Sequence, residues 1–136
     1  MHLEHLAIAV ADLDAALRFY RDVLGLTLER VEELPSEGVR VAFLPLGESH
    51  IELVQPTQEE TGITRWMAKT GGGMHHLCLA VDDIRAALAR LSAAGAELIT
   101  PQPVARPDGT LYAFIHPRST GGVLIELYQK SQPTSP

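Results

Sequence analysis

Four side chains in this sequence, His5, Glu52, His76 and Glu126, have the types and spacing to hold one divalent metal ion. The histidines open two similar segments, HLAIAVADLDAAL at residues 5–17 and HLCLAVDDIRAAL at residues 76–88, which agree at eight of thirteen positions. Amphipathic segments matched by chance share apolar classes. These also share the histidine and an aspartate, which points to an internal duplication. Each glutamate follows its histidine at a similar separation and sits in an apolar run, Ile51-Glu52-Leu53-Val54 and Leu124-Ile125-Glu126-Leu127. A carboxylate in such a strand is costly to bury unless it is paired, hydrogen-bonded or bound to metal. A single histidine or glutamate is more often structural, or a charge that guards a sheet edge. The recurrence of the pair in both copies is what favours ligation. Two imidazoles and two carboxylates with open positions suit a catalytic Co, Mn, Ni, Zn or Fe(II) ion better than a closed structural zinc site.

The elements around these residues repeat as well. A strand, Leu3–Val10 or His75–Val81, leads into a helix with Asp12 or Asp83 at its N-cap. Leu13, Ala16, Leu17 and Tyr20 recur at helical spacing, as do Ile84, Ala87, Leu88 and Leu91. Gly25 and Gly95 suit the left-handed residue that ends a helix. Three strands are expected in each half: Leu26–Val31, Val39–Leu46 and His50–Val54, then Ala96–Ile99, Leu111–His116 and Gly122–Tyr128. The expected fold is α+β: two tandem βαβββ modules forming a curved mixed sheet around a central metal cavity. Residues 1–136 form one domain, with module 1 at about 1–55, a linker at about 56–73 and module 2 at about 74–130. Ile63–Lys69 reads as a short helix, Pro101–Gly109 and Pro117–Gly121 as loops, and Ser131–Pro136 as a frayed tail.

Strand alternation sorts the side chains into faces. Leu6, Ile8 and Val10 share one face, which should pack on the module's own helix. His5, Ala7 and Ala9 share the other, as do His76, Cys78 and Ala80 in the second copy. The small residues beside each histidine predict room above that face. His75 has the opposite parity to His76 and reads as structural. His50 shares the parity of Glu52, which would let it approach the site, but the preferred reading is a strand-start role. His2 reads as exposed, and His116, before Pro117 at a strand end, as a substrate contact.

Composition narrows the function. The 136 residues are 46% hydrophobic and 21% charged, with a formal net charge of −6. That argues against a nucleic-acid partner, which requires a basic surface. A single cysteine excludes an intrachain disulfide. Glu4, His5, Asp12 and Asp14 interrupt any signal-like apolar stretch, and no run reaches the ~20 apolar residues of a membrane span. The expectation is a cytoplasmic protein with no membrane partner.

These residues resemble the vicinal oxygen chelate superfamily (glyoxalase, bleomycin resistance protein and dioxygenase), and within it the methylmalonyl-CoA epimerases. The strings that carry the resemblance are His5-Leu-Ala-Ile-Ala-Val, Tyr20-Arg-Asp-Val-Leu-Gly-Leu, Val41-Ala-Phe-Leu-Pro-Leu-Gly, Ile51-Glu-Leu, His75-His-Leu and His116-Pro-Arg-Ser-Thr-Gly-Gly-Val-Leu-Ile-Glu-Leu127. The resemblance implies that His5, Glu52, His76 and Glu126 are the metal ligands. It also implies an acyl-CoA substrate, a homodimer, and α-proton abstraction through a metal-stabilised enediolate, with Glu126 and a loop glutamate as catalytic groups. The family's Pro-Glu-Gln-Gly reads Pro35-Ser36-Glu37-Gly38 here. Glu37 is the candidate, one position displaced, with Ser36 in the usual place. Arg118, Ser119, Gly121 and Gly122, with His116, are the candidate substrate contacts. A glyoxalase I-like lactoylglutathione lyase would use the same four ligands, although the Ser119-Thr-Gly-Gly stretch argues against it. An extradiol-type dioxygenase fits less well, because a fourth ligand, Glu52, is present. A non-catalytic antibiotic-binding protein of the same fold would typically lack a complete ligand set.

Overall fold

The computed structural model describes residues 1–131, and the tail expected to fray lies, beyond Ser131, outside the described residues. The chain divides into two compact units, one spanning His5–His75 and the other combining Met1–Glu4 with the chain from His76 onward.

In the first unit, β1 (His2–Ala9) leads into α1 (Leu13–Leu17), and β2 (Arg30–Leu34), β3 (Val39–Leu46) and β4 (Ser49–Pro56) follow. β1 lies parallel to β4, with His5 opposite His50 and Ala7 opposite Glu52. β3 is antiparallel to both β4 and β2. Asp12 caps α1 as its position predicts, its carboxylate accepting from Ala15 N–H at 3.1 Å. The helix continues as a π-helical turn over Arg18–Val23 and is followed by Gly25 at φ 91°. Leu13, Leu17, Ala42, Leu44 and Leu53 form the core under this helix, with Ile8 and Val10 of β1 against it. The larger aliphatic face of β1 therefore meets its own helix.

The opposite face departs from expectation. Ala7 is fully buried, packed with Val39, Val41, Val54, Phe43 and Ile63. Valines of β3 and β4 and a side chain of α2 (Gly62–Thr70) cover the small residue instead of leaving room above it. That helix, expected at Ile63–Lys69, starts at a Thr61 cap and ends at Gly71 in the left-handed region. It belongs to the unit of the first module, so the predicted linker is part of a folded body.

The second unit repeats the course with β5 (Gly73–Ala80), α3 (Ile84–Ala93), β6 (Val104–Ala105), β7 (Leu111–Ile115) and β8 (Ile125–Gln129). β5 and β8 are parallel, with Cys78 opposite Glu126, and β7 is antiparallel to β8 and β6. Asp83 caps α3 by accepting from Ala86 N–H at 3.0 Å. Ile84, Leu88, Ala113, Ile115 and Leu127 form its core.

Two of the expected strands shift for a hydrogen-bonding reason. Leu26–Val31 is strand only from Arg30, because Leu26 N–H is spent on Tyr20 O, and Leu26 and Leu28 fill the helix core as irregular chain. Ala96–Ile99 reduces to one bridge, Leu98 to Ile115. There Ala96 N–H closes the end of α3 and Glu97 N–H goes to Ser119 Oγ. The segment read as a loop, Pro101–Gly109, contains β6.

Candidate metal centre

Each unit presents a histidine–glutamate pair of the repeat, and strand register explains both. His5 lies two residues before Ala7, the register partner of Glu52, so the two side chains share a face and meet on a diagonal. His5 Nδ1 is 3.0 Å from Glu52 Oε2. His76 stands in the same relation to Cys78 and Glu126, and its Nε2 is 3.1 Å from Glu126 Oε1. An aromatic ring stands opposite each carboxylate, Phe43 across from Glu52 and Phe114 across from Glu126.

The surroundings of the two glutamates differ. In the first unit His50 Nε2 also reaches Glu52 Oε2, at 2.7 Å, so one oxygen receives two imidazoles. His5, His50 and Glu52 each offer a ligand atom within 4.8 Å of the others. Burial opposes charge on Glu52, but the hydrogen bonds and charge of His5 and His50 outweigh it and hold the carboxyl at about 2. His50 therefore stands at the start of β4 and also against Glu52, and its parity with Glu52 was the available signal.

In the second unit Glu126 is 3% exposed. Arg106 Nη2 approaches Glu126 Oε2 at 3.5 Å, while its guanidinium lies 4.0 Å from the Tyr112 ring centroid. Arg106 was missed in the sequence because it lies in the segment read as a loop. The pairing of β6 with β7 carries it towards Glu126.

The remaining candidates sit on turns and loops. Glu37 is exposed on the turn joining β2 and β3, where its N–H donates to Leu34 O and Gly38 N–H donates to Pro35 O. Val39 begins β3 opposite Pro56, four residues past Glu52, so the turn starts ~13 Å along β4 from that carboxylate. His116, Arg118 and Ser119 gather on Glu97. Arg118 Nη2 donates to Glu97 Oε2 at 3.0 Å, His116 Nε2 lies 3.5 Å from the same oxygen, and Ser119 Oγ accepts from Glu97 N–H. Gly121 and Gly122 are both left-handed, at φ 79° and 98°, and Gly122 N–H closes the turn on Pro117 O. His75 packs edge-on against Trp66, in keeping with a structural reading, and His2 is exposed.

The donor chemistry fits a divalent ion. A buried carboxylate (Glu126) and a half-buried one (Glu52) beside imidazoles supply borderline nitrogen and hard oxygen donors, the mixture used by catalytic first-row metals.

Comparison with known proteins identifies the family. Residues 4–114 match the family model of the glyoxalase/bleomycin resistance protein/dioxygenase superfamily. The chain belongs to this superfamily. It is 41% identical over 128 residues to the mitochondrial methylmalonyl-CoA epimerase of Mus musculus, covering 93% of this chain and 72% of that protein. It is 40% identical to the ethylmalonyl-CoA/methylmalonyl-CoA epimerase of Cereibacter sphaeroides, covering 93% and 96%. Among solved structures, a variant of Streptomyces coelicolor methylmalonyl-CoA epimerase in complex with 2-nitronate-propionyl-CoA superposes with a TM-score of 0.87 at 32% identity, covering 100% of this chain and 99% of that one. Members of the superfamily bind divalent metals. Among the described residues, no helix is long and apolar enough to cross a membrane.

Proposed function

We propose that this chain is a methylmalonyl-CoA epimerase, an isomerase that inverts the carbon between the thioester and the carboxylate of its substrate. The observation that carries the reading is the duplicated histidine–glutamate pair, in a chain about 40% identical to epimerases over nearly its whole length.

His5, Glu52, His76 and Glu126 would hold one divalent ion of the Co, Mn, Ni, Zn or Fe class. Bound there, the ion would act as a Lewis acid towards substrate oxygens that gain negative charge when the α-proton leaves. Inversion needs one group to take the proton and another to return one from the opposite face. Glu126 is the first candidate, because its oxygens are fixed between His76 and Arg106, which orients the carboxylate. Glu37 is the second candidate, on its exposed turn. The exposed guanidinium of Arg118, with His116, Ser119 and the loop at Gly121 and Gly122, would receive an anionic portion of an acyl-CoA. A cytoplasmic homodimer completes the proposal, and light scattering of the purified protein tests the dimer.

The deciding experiment incubates metal-loaded protein with one epimer of methylmalonyl-CoA in deuterated water and follows the α-proton by NMR. Metal-dependent washout of that signal is expected. No exchange, with turnover of the methylglyoxal–glutathione hemithioacetal instead, would move the reading to a glyoxalase-type lyase.

A further inference from the structure

We infer that His50 is a positioning residue of the metal centre, whose ring N–H holds Oε2 of Glu52 and so fixes how that carboxylate is presented to an ion. The inference rests on the reading of Glu52 as a ligand and adds a group outside the four proposed donors. Three observations support it. His50 and His5 are direct register partners on the parallel strands β4 and β1, with ring centroids 5.1 Å apart. Both rings reach the same oxygen, and the contact from His50, at 2.7 Å, is the shorter of the two. The second half of the repeat has no counterpart, because the position two before Glu126 is Leu124.

The direction of the bond follows from the partner. An ionised carboxylate only accepts, so the His50 nitrogen facing it must carry the hydrogen. Phe43 lies 5.7 Å from the His50 ring and flanks it. A carboxylate with one oxygen pinned loses rotational freedom before an ion arrives. Outer partners of this kind typically change metal affinity by about 10- to 100-fold when removed.

The test compares wild type with His50→Phe, which keeps a ring against Phe43 but has no donor, and with His50→Gln, which keeps a donor but has no ring. His50→Leu, copying Leu124, is the second donorless variant should the Phe protein not fold. Co(II) affinity is measured by chelator competition, with the visible spectrum of the Co(II) protein and the melting temperature of the chelator-treated protein alongside. The donorless variants should bind Co(II) about 10- to 100-fold more weakly, and His50→Gln should stay within about threefold of wild type with an unchanged spectrum. Equal affinity in wild type and a donorless variant overturns the inference and leaves only packing. A Gln variant as weak as the donorless ones, with an altered spectrum, also overturns it, because His50 would then be a ligand. If wild type itself binds no Co(II), the metal reading fails first, and the two failures stay distinct.

Discussion

The side-chain oxygen of Gln55 accepts the backbone N–H of Leu13 at 2.7 Å, so the strand that carries Glu52 also caps the first helix. The duplicate does the same, with Gln129 accepting from Ile84 N–H at 2.8 Å. Glu52 and Gln55, like Glu126 and Gln129, are an odd number of residues apart. They therefore leave their strand on opposite faces, one towards its histidine and the other towards the helix. Replacing either glutamine by alanine orphans a helix N-terminal N–H and should cost about 1 kcal/mol. The expected drop in melting temperature is about 3–5 °C, read by calorimetry. No change in either variant would mean that the cap contributes nothing to stability.

The acid behaviour of Glu52 has a defined sign. His5 and His50 hold its carboxyl at about 2 in the folded chain, below its ordinary 4.5. A depressed carboxyl contributes stability in full above its unfolded value and loses it as pH falls from about 4.5 towards about 2. That contribution is on the order of 3 kcal/mol. In chelator-treated protein, the stability gap between wild type and Glu52→Gln should be widest near neutrality and close across that acid window. Urea unfolding at several pH values measures it, and a gap independent of pH would contradict the assignment.

Arg106 is one-third exposed, so its ion pair with Glu126 is screened and adds little to folding. Arg106→Ala should change stability by less than about 1 kcal/mol. Exchange activity should fall by a larger factor than stability accounts for, because Glu126 loses the group that fixes its Oε2. Steady-state kinetics beside chemical denaturation separate the two effects. Arg106→Lys should restore charge but not stacking on Tyr112, and so recover only part of the activity.

The two proposed proton-handling groups can be told apart. Glu126→Gln should abolish exchange and weaken metal binding, because the same carboxylate is proposed for both tasks. Glu37→Gln should lower exchange by about 10²- to 10⁴-fold while metal content stays that of wild type. Elemental analysis alongside the deuterium assay reads both. A Glu37→Gln protein with full activity would return attention to Ser36, its neighbour on the same exposed turn.

Much of this was legible in the sequence where local chemistry and a period of two coincide. Asp12 and Asp83 were placed as caps because a carboxylate before an amphipathic stretch satisfies free N–H groups. His5 and His76 were assigned to the right faces because alternation fixes parity. What escaped depended on partners distant in sequence. The Gln55 and Gln129 caps join residues 42 and 45 positions away. Leu26 and Leu28 look like strand but are drawn into the helix core once Leu26 N–H is taken by Tyr20. Arg106 lies between prolines, which masked the short β6. His50 was visible by parity yet undervalued, since strand pairing alone reveals that His5 stands beside it.

The unequal company of the two glutamates, two imidazoles on one oxygen of Glu52 against an imidazole and a guanidinium at Glu126, has a thermodynamic corollary. The epimers of an acyl-CoA are diastereomers, and an enzyme leaves their equilibrium ratio untouched. The proposed centre, which would draw on two dissimilar histidine–glutamate pairs, would be under no symmetry requirement to process the two epimers with equal rate constants. The Haldane relation then makes any advantage in turnover for one epimer reappear as a compensating difference in Michaelis constant, beyond what the equilibrium ratio itself accounts for.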